Sequence, residues 1–97
     1  MIETLRYEYP AREAVTRRAH VGVVASGNCE VLLEPSSAKA ASIVVRTSVS
    51  GFDATWQAVL KRFFARNPIA VQIEINDFGA TPAVVALRLE QALEGAR

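Results

Sequence analysis

Ser26 stands in Ala25-Ser26-Gly27-Asn28-Cys29, between two short apolar runs, residues 21–24 and 31–33. Gly-Asn is a pair that supplies positive φ in a tight hairpin turn. The spacing therefore predicts two strands meeting at a polar tip, with Ser26 ending the first strand and its hydroxyl exposed. Such a hydroxyl is one that another enzyme can reach. Serine is also common in turns because its hydroxyl bonds the nearby backbone, so spacing alone does not single Ser26 out. Ser36 and Ser37 are rival hydroxyls in a small polar connector, with nothing around them to constrain a role.

The other chemistry-bearing residues do not assemble into a catalytic pattern. Hydrolytic catalysis needs a nucleophile, a base and an orienting group in one place. His20 is the only histidine and Cys29 the only cysteine, and neither has a recognisable motif partner. Cys29 opens the second strand, where a small thiol packs like a hydrophobe unless a nearby positive charge lowers its pKa. Asp77-Phe78-Gly79 matches the Asp-Phe-Gly of protein kinases, but the rest of that machinery is absent and 97 residues are too few for it. Metal-ligand spacing is missing as well. These readings exclude catalysis by the isolated chain.

The elements that must position these residues follow from periodicity. Residues 2–9 alternate, with Leu5, Tyr7 and Tyr9 on one side, which predicts a strand that Pro10 ends. Residues 11–18 read as a loop or a helical turn. Their Arg12, Arg17 and Arg18 form a solvated face or, alternatively, a contact for phosphates or an acidic partner. Residues 42–49 predict a strand with Ile43, Val45, Thr47 and Val49 on one face. Ser50 is expected to cap a helix and Asp53 to charge its first turn. Phe52, Trp56, Val59, Leu60 and Phe63 recur at helical spacing as a core-facing stripe, with Trp56 buried in its middle. Asn67-Pro68 stops the helix.

Ile69, Val71, Ile73 and Ile75 alternate with Ala70, Gln72, Glu74 and Asn76, which is the clearest strand of the chain. Residues 76–80 are expected to form a loop in which Asp77 either anchors the backbone or faces a partner. Thr81 is a natural N-cap and Pro82 a natural first helical residue. Val85, Leu89 and Leu93 share one face of that helix, with Arg88 and Glu90 available to solvent. Residues 95–97 are expected to fray. The order is four strands, helix, strand, helix. It predicts an α+β two-layer sandwich, a mostly antiparallel sheet of about five strands with two helices on one face.

Length and charge narrow the class further. The 97 residues suit one domain, 1–97, burying about 65% of its unfolded surface. An apolar fraction of 51% argues for a folded globule over a disordered chain. A net charge of +1 lacks the basic excess of a nucleic-acid binder. No apolar run is long enough for a membrane span, and the first residues lack a signal-peptide pattern. One cysteine allows no internal disulfide, so the cytoplasm is the expected location.

Two stretches carry a family resemblance. Ala-Ser-Gly-Asn-Cys-Glu-Val-Leu around Ser26, and Asn76-Asp77-Phe78-Gly79-Ala80-Thr81-Pro82, resemble the acyl carrier (delta) subunit of biotin-independent malonate decarboxylase. Length and element order fit too, so the resemblance covers nearly the whole chain. It implies that Ser26 carries 2'-(5''-phosphoribosyl)-3'-dephospho-CoA through a phosphodiester, with Gly27 and Asn28 shaping the attachment turn. It also implies a non-catalytic subunit. An acyl transferase subunit would exchange acetyl for malonyl on the arm, carboxylase-like subunits would decarboxylate the malonyl group, and a prosthetic-group transferase would load Ser26. The chain departs from the family's Gly-Asp turn in having Asn28, which keeps the turn geometry and removes a charge. Two alternatives stand beside this reading: a citrate lyase-type acyl carrier, which shares the arm, and an unmodified structural interaction subunit.

Overall fold

The computed structural model describes residues 2–97. Eight elements follow one another: β1 (Glu3–Pro10), β2 (Glu13–Ala14), β3 (Ala19–Gly22), β4 (Asn28–Pro35), β5 (Ala40–Thr47), α1 (Asp53–Arg66), β6 (Ile69–Phe78) and α2 (Pro82–Ala96). Five strands form the main sheet in the order β1-β5-β6-β4-β3, and the two-residue β2 runs parallel to the start of β6. Pairs β1/β5, β4/β6 and β3/β4 are antiparallel. The central pair β5/β6 is parallel, because α1 carries the chain back over the sheet between them. The α+β sandwich expected from the sequence is thus the fold observed, with a parallel pair at its centre.

Side-chain alternation sets the two faces of the sheet. Val31 and Leu33, Ile43 and Val45, and Ile69, Val71, Ile73 and Ile75 point into one core. That core also takes Trp56, Leu60, Phe63 and Phe64 of α1, and Val85, Leu89, Ala92 and Leu93 of α2. Trp56 is 6% exposed, as the helical stripe predicts. The opposite face carries a polar layer. Arg46 bonds Glu74, the Asn76 amide donates to Glu30 (2.9 Å) and Glu74 (3.4 Å), and His20 bonds Glu30 (2.9 Å).

Several boundaries differ from the sequence expectations. Phe52, not Ser50, occupies the N-cap of α1, and no side chain caps it. Its ring is therefore outside the helical stripe and 50% exposed. The expected cap of α2 holds: Thr81 Oγ1 accepts from the Val84 N–H at 3.2 Å, with Pro82 next in the chain. The C-terminal end does not fray at Ala96. That residue is fully buried, and its carbonyl accepts the N–H groups of Thr16 and Arg17, both at 3.2 Å. Pro10 closes β1 as its last residue, on an edge strand where its missing N–H is tolerated.

Candidate functional site

Ser26 sits in a four-residue turn closed by the Asn28 N–H donating to the Ala25 carbonyl at 2.9 Å. Gly27 has φ +74°, so the turn has the positive φ at its third residue that marks type II. Asn28 is not at positive φ; it is the first residue of β4. The polar tip expected at Ser26-Gly27-Asn28 is therefore a longer one, residues 23–27. Val23 and Val24 leave strand pairing and are about half exposed. The reason is tertiary. Gly27 N–H donates to the Phe78 carbonyl at 2.7 Å, and Asn28 pairs with Phe78, so the tip is drawn onto the end of β6.

The Ser26 hydroxyl is solvent-exposed and takes part in none of the hydrogen bonds among the described residues. Side-chain space beside it is open, since a Cβ on Gly27 would meet nothing within 4 Å. The turn is thus fixed in place while its hydroxyl is free.

The second sequence stretch lies directly against this turn. Cys29 pairs with Asp77, and Asn28 also bridges to Gly79. Residues 76–78 belong to β6, so the loop expected at 76–80 is only Gly79 and Ala80, with Gly79 at φ +86°. Asp77 continues the buried alternation of Ile69 to Ile75 and is 3% exposed. Its carboxylate accepts from Thr47 Oγ1 at 2.8 Å, Ala80 N–H at 3.0 Å and Gly79 N–H at 3.3 Å. Of the two roles expected for Asp77, backbone anchoring is the one its bonds display. Thr47 extends the network by accepting the Val49 N–H at 3.1 Å.

Arg88 was expected to point to solvent. It is half-buried instead, and its Nε donates to Asn28 Oδ1 at 3.2 Å. The same Asn28 oxygen accepts the Cys29 N–H at 2.8 Å. Gly22 makes this approach possible: a Cβ there would stand 2.1 Å from the Cys29 carbonyl oxygen and 3.2 Å from Arg88 Cδ. Sequence reasoning missed Thr47, Arg88 and Gly22. Thr47 and Asp77 each left a signal, falling in phase with the core faces of β5 and β6, whereas Arg88 and Gly22 left none.

The remaining candidates are elsewhere or inert. Cys29 is fully buried, and burial together with the Asp77 charge pushes its thiol up to about 11, against a smaller opposing effect of Arg88. It is a core group, not a nucleophile. His20 has a side chain 59% exposed on the open face, bound to Glu30. The Asn76 amide and His20 hold the Glu30 carboxyl below its ordinary range. Arg18 faces Glu34, and Ser36 accepts from Ala38 N–H at 3.2 Å. Both lie at the far end of β4, about 24 Å from the Ser26 turn at ordinary strand rise. Arg12 bonds the Pro68 carbonyl just before β6 and Arg17 the Ala96 carbonyl at the end of α2, so none of the three basic residues is bonded at that turn. Among the described residues no cluster of three His, Cys, Asp or Glu could hold a metal, and no helix is long and apolar enough to cross a membrane.

Comparison with known proteins agrees with the two stretches that converge here. Residues 16–96 match the family model described as malonate decarboxylase delta subunit (MdcD). The malonate decarboxylase acyl carrier protein of Azotobacter vinelandii is 52% identical over 94 residues, covering 96% of this chain and 95% of its own. That of Pseudomonas aeruginosa PAO1 is 53% identical over 96 residues, covering 98% and 97%. Among solved structures, a chain of a Pseudomonas malonate decarboxylase hetero-tetramer crystallised with malonate superposes with a TM-score of 0.93. It is 50% identical and covers 98% of this chain and 99% of its own.

Proposed function

The chain belongs to the malonate decarboxylase delta-subunit family, and we propose that it is a single acyl-carrier domain whose Ser26 bears 2'-(5''-phosphoribosyl)-3'-dephospho-CoA through a phosphodiester. When bound, that group supplies a terminal thiol, which holds acetyl and malonyl as thioesters for an acyl transferase subunit and carboxylase-like decarboxylase subunits. The observation that supports the reading best is the state of Ser26: an exposed, unbonded hydroxyl on a turn pinned to β6 by Gly27. A prosthetic-group transferase needs such access, and open space beside Gly27 leaves room for its backbone.

The chain's own residues hold the platform. Gly27 supplies the positive φ, and Asn28 ties the turn to α2 through Arg88. Asp77 fixes the neighbouring backbone from below. No catalytic step is assigned to the chain, because its one thiol is buried and its one imidazole is bound to Glu30. A cytoplasmic location belongs to the same reading. Tethering replaces free diffusion of acyl groups by a high effective concentration at each partner.

The test is intact mass spectrometry of the subunit purified from its own host. A single large adduct on the peptide containing Ser26 supports the proposal. The bare mass would favour an unmodified interaction subunit.

A further inference from the structure

An apolar cleft opens beside the Ser26 turn, between the first turns of α1 and α2 and over the ends of the parallel pair β5/β6. Its volume is about 350 Å³, and its walls are Val49, Phe52, Thr55, Trp56, Ala80 and Val85. Thr47 and Asp77 form its floor, with their polar atoms bonded to each other. Two of its wall residues, Val49 and Phe52, are 38% and 50% exposed, so the cleft presents apolar surface to water. It shares a wall with the attachment turn: a Cβ built on Gly79 lies 4.0 Å from both Gly27 N and Val49 Cγ2.

We propose that this cleft receives the acetyl-thioester end of the arm while the carrier is between partners. The inference rests on the reading of Ser26 as the attachment site. Three features point to this occupant. The volume lies at the low end of small-molecule pockets and suits a short acyl group with the end of its pantetheine chain. Gly79 of the cleft lining lies against Gly27 of the turn that bears the arm, and an arm that reaches separate active sites is long enough to fold back. The lining is apolar above a carboxylate floor, which favours a neutral acyl group. A malonyl group would bring a second carboxylate toward Asp77 with no cation lining the cleft, so it stays outside. The cleft thereby shields the acetyl form from water and leaves the malonyl form displayed.

The test uses the isolated, fully loaded subunit, its adduct at Ser26 verified by mass, carrying a ¹³C-labelled acetyl or malonyl group. The acetyl methyl is expected to show NOEs to the Ala80 and Val85 methyls, and none to Leu87, which is exposed elsewhere on α2. The malonyl methylene is expected to show none to the cleft. Val49→Phe narrows the mouth at an already exposed position. It is expected to abolish the acetyl NOEs and to speed hydrolysis of the acetyl thioester several-fold. A loaded acetyl form without cleft NOEs, or cleft NOEs that appear only when a partner subunit is added, would overturn the inference. Equal NOEs from the malonyl form would overturn its selectivity. Absence of the adduct would refute the Ser26 attachment instead, so the two failures are told apart.

Discussion

Cys29 and Asp77 face each other across the β4/β6 pair, one residue beyond the point where Asn28 meets Phe78. Both are buried. This pairing brings the serine turn and the Asp-Phe-Gly stretch, some fifty positions apart in the chain, into one structure. The carboxylate holds the backbone on which the turn rests, so the stability of the platform depends on it.

Replacing Asp77 tests that dependence. Asp77→Ala leaves Gly79 N–H and Ala80 N–H without their acceptor, and leaves Thr47 Oγ1 only the Val49 carbonyl at 3.3 Å. Three hydrogen bonds to a carboxylate are lost or weakened, the one from buried Thr47 among them, and a loss of about 3 kcal/mol is expected by urea denaturation. Asp77→Asn keeps one acceptor oxygen and should recover part of it. Unchanged stability in the alanine variant would show that the carboxylate anchors nothing.

Trp56 is a buried member of the core that α1 shares with the sheet and α2. Its truncation to alanine should cost about 3–5 kcal/mol, as large-to-small core changes do. A near-native melting temperature would show that the stripe is a docking face and not the core.

The Cys29 thiol makes stability fall at alkaline pH. Its folded value of about 11 exceeds the ordinary 9.0. The folded state therefore binds the proton more tightly, and the contribution is complete below pH 9 and lost as pH rises toward 11. Tyr7, raised by burial and by its bond to Asp53, and Tyr9, raised by burial, act in the same direction. The thiol's share is isolated by comparing the pH dependence of wild type with Cys29→Ala, whose curve should be flatter between pH 9 and 11. Parallel curves would show a thiol that titrates normally.

Much of this architecture is legible along the chain, and most of the failures have a common cause. The Ile69 to Ile75 alternation reads directly as a strand because one face is apolar, and Thr81-Pro82 reads as a helix start because both residues act locally. Asp77 breaks the apolar pattern while keeping its phase. Its burial depends on Thr47 of β5, a residue thirty positions away. Gly27-Asn28 suggests a tight hairpin by dipeptide chemistry, but pairing of β4 with β6 extends the strand back to Asn28 and moves the turn by one residue. Phe52 has helical spacing from Trp56 yet precedes the first helical residue. Ala96 looks like a free tail until residues 16 and 17 bond its carbonyl. Phe52 is a local matter of where the helix begins; in the other cases a partner distant in sequence decides the outcome.

Arg88 links α2 to the attachment turn through Asn28. Arg88→Ala is expected to cost about 1 kcal/mol and to loosen the turn. Amide exchange at Gly27 and Asn28 should quicken while exchange at the core strands holds. Unaltered exchange at those two amides would show that the contact does not restrain the turn.

The central claim is that Ser26 is the attachment point. It is tested most directly by the intact mass of wild-type and Ser26→Ala subunit produced beside the loading enzymes. Wild type should carry one adduct of the arm's mass. The variant should carry none, remain within about 0.5 kcal/mol of wild-type stability as exposed positions do, and support no turnover by the assembled complex. An adduct persisting on the variant, at Ser36, Ser37 or elsewhere, would contradict the account.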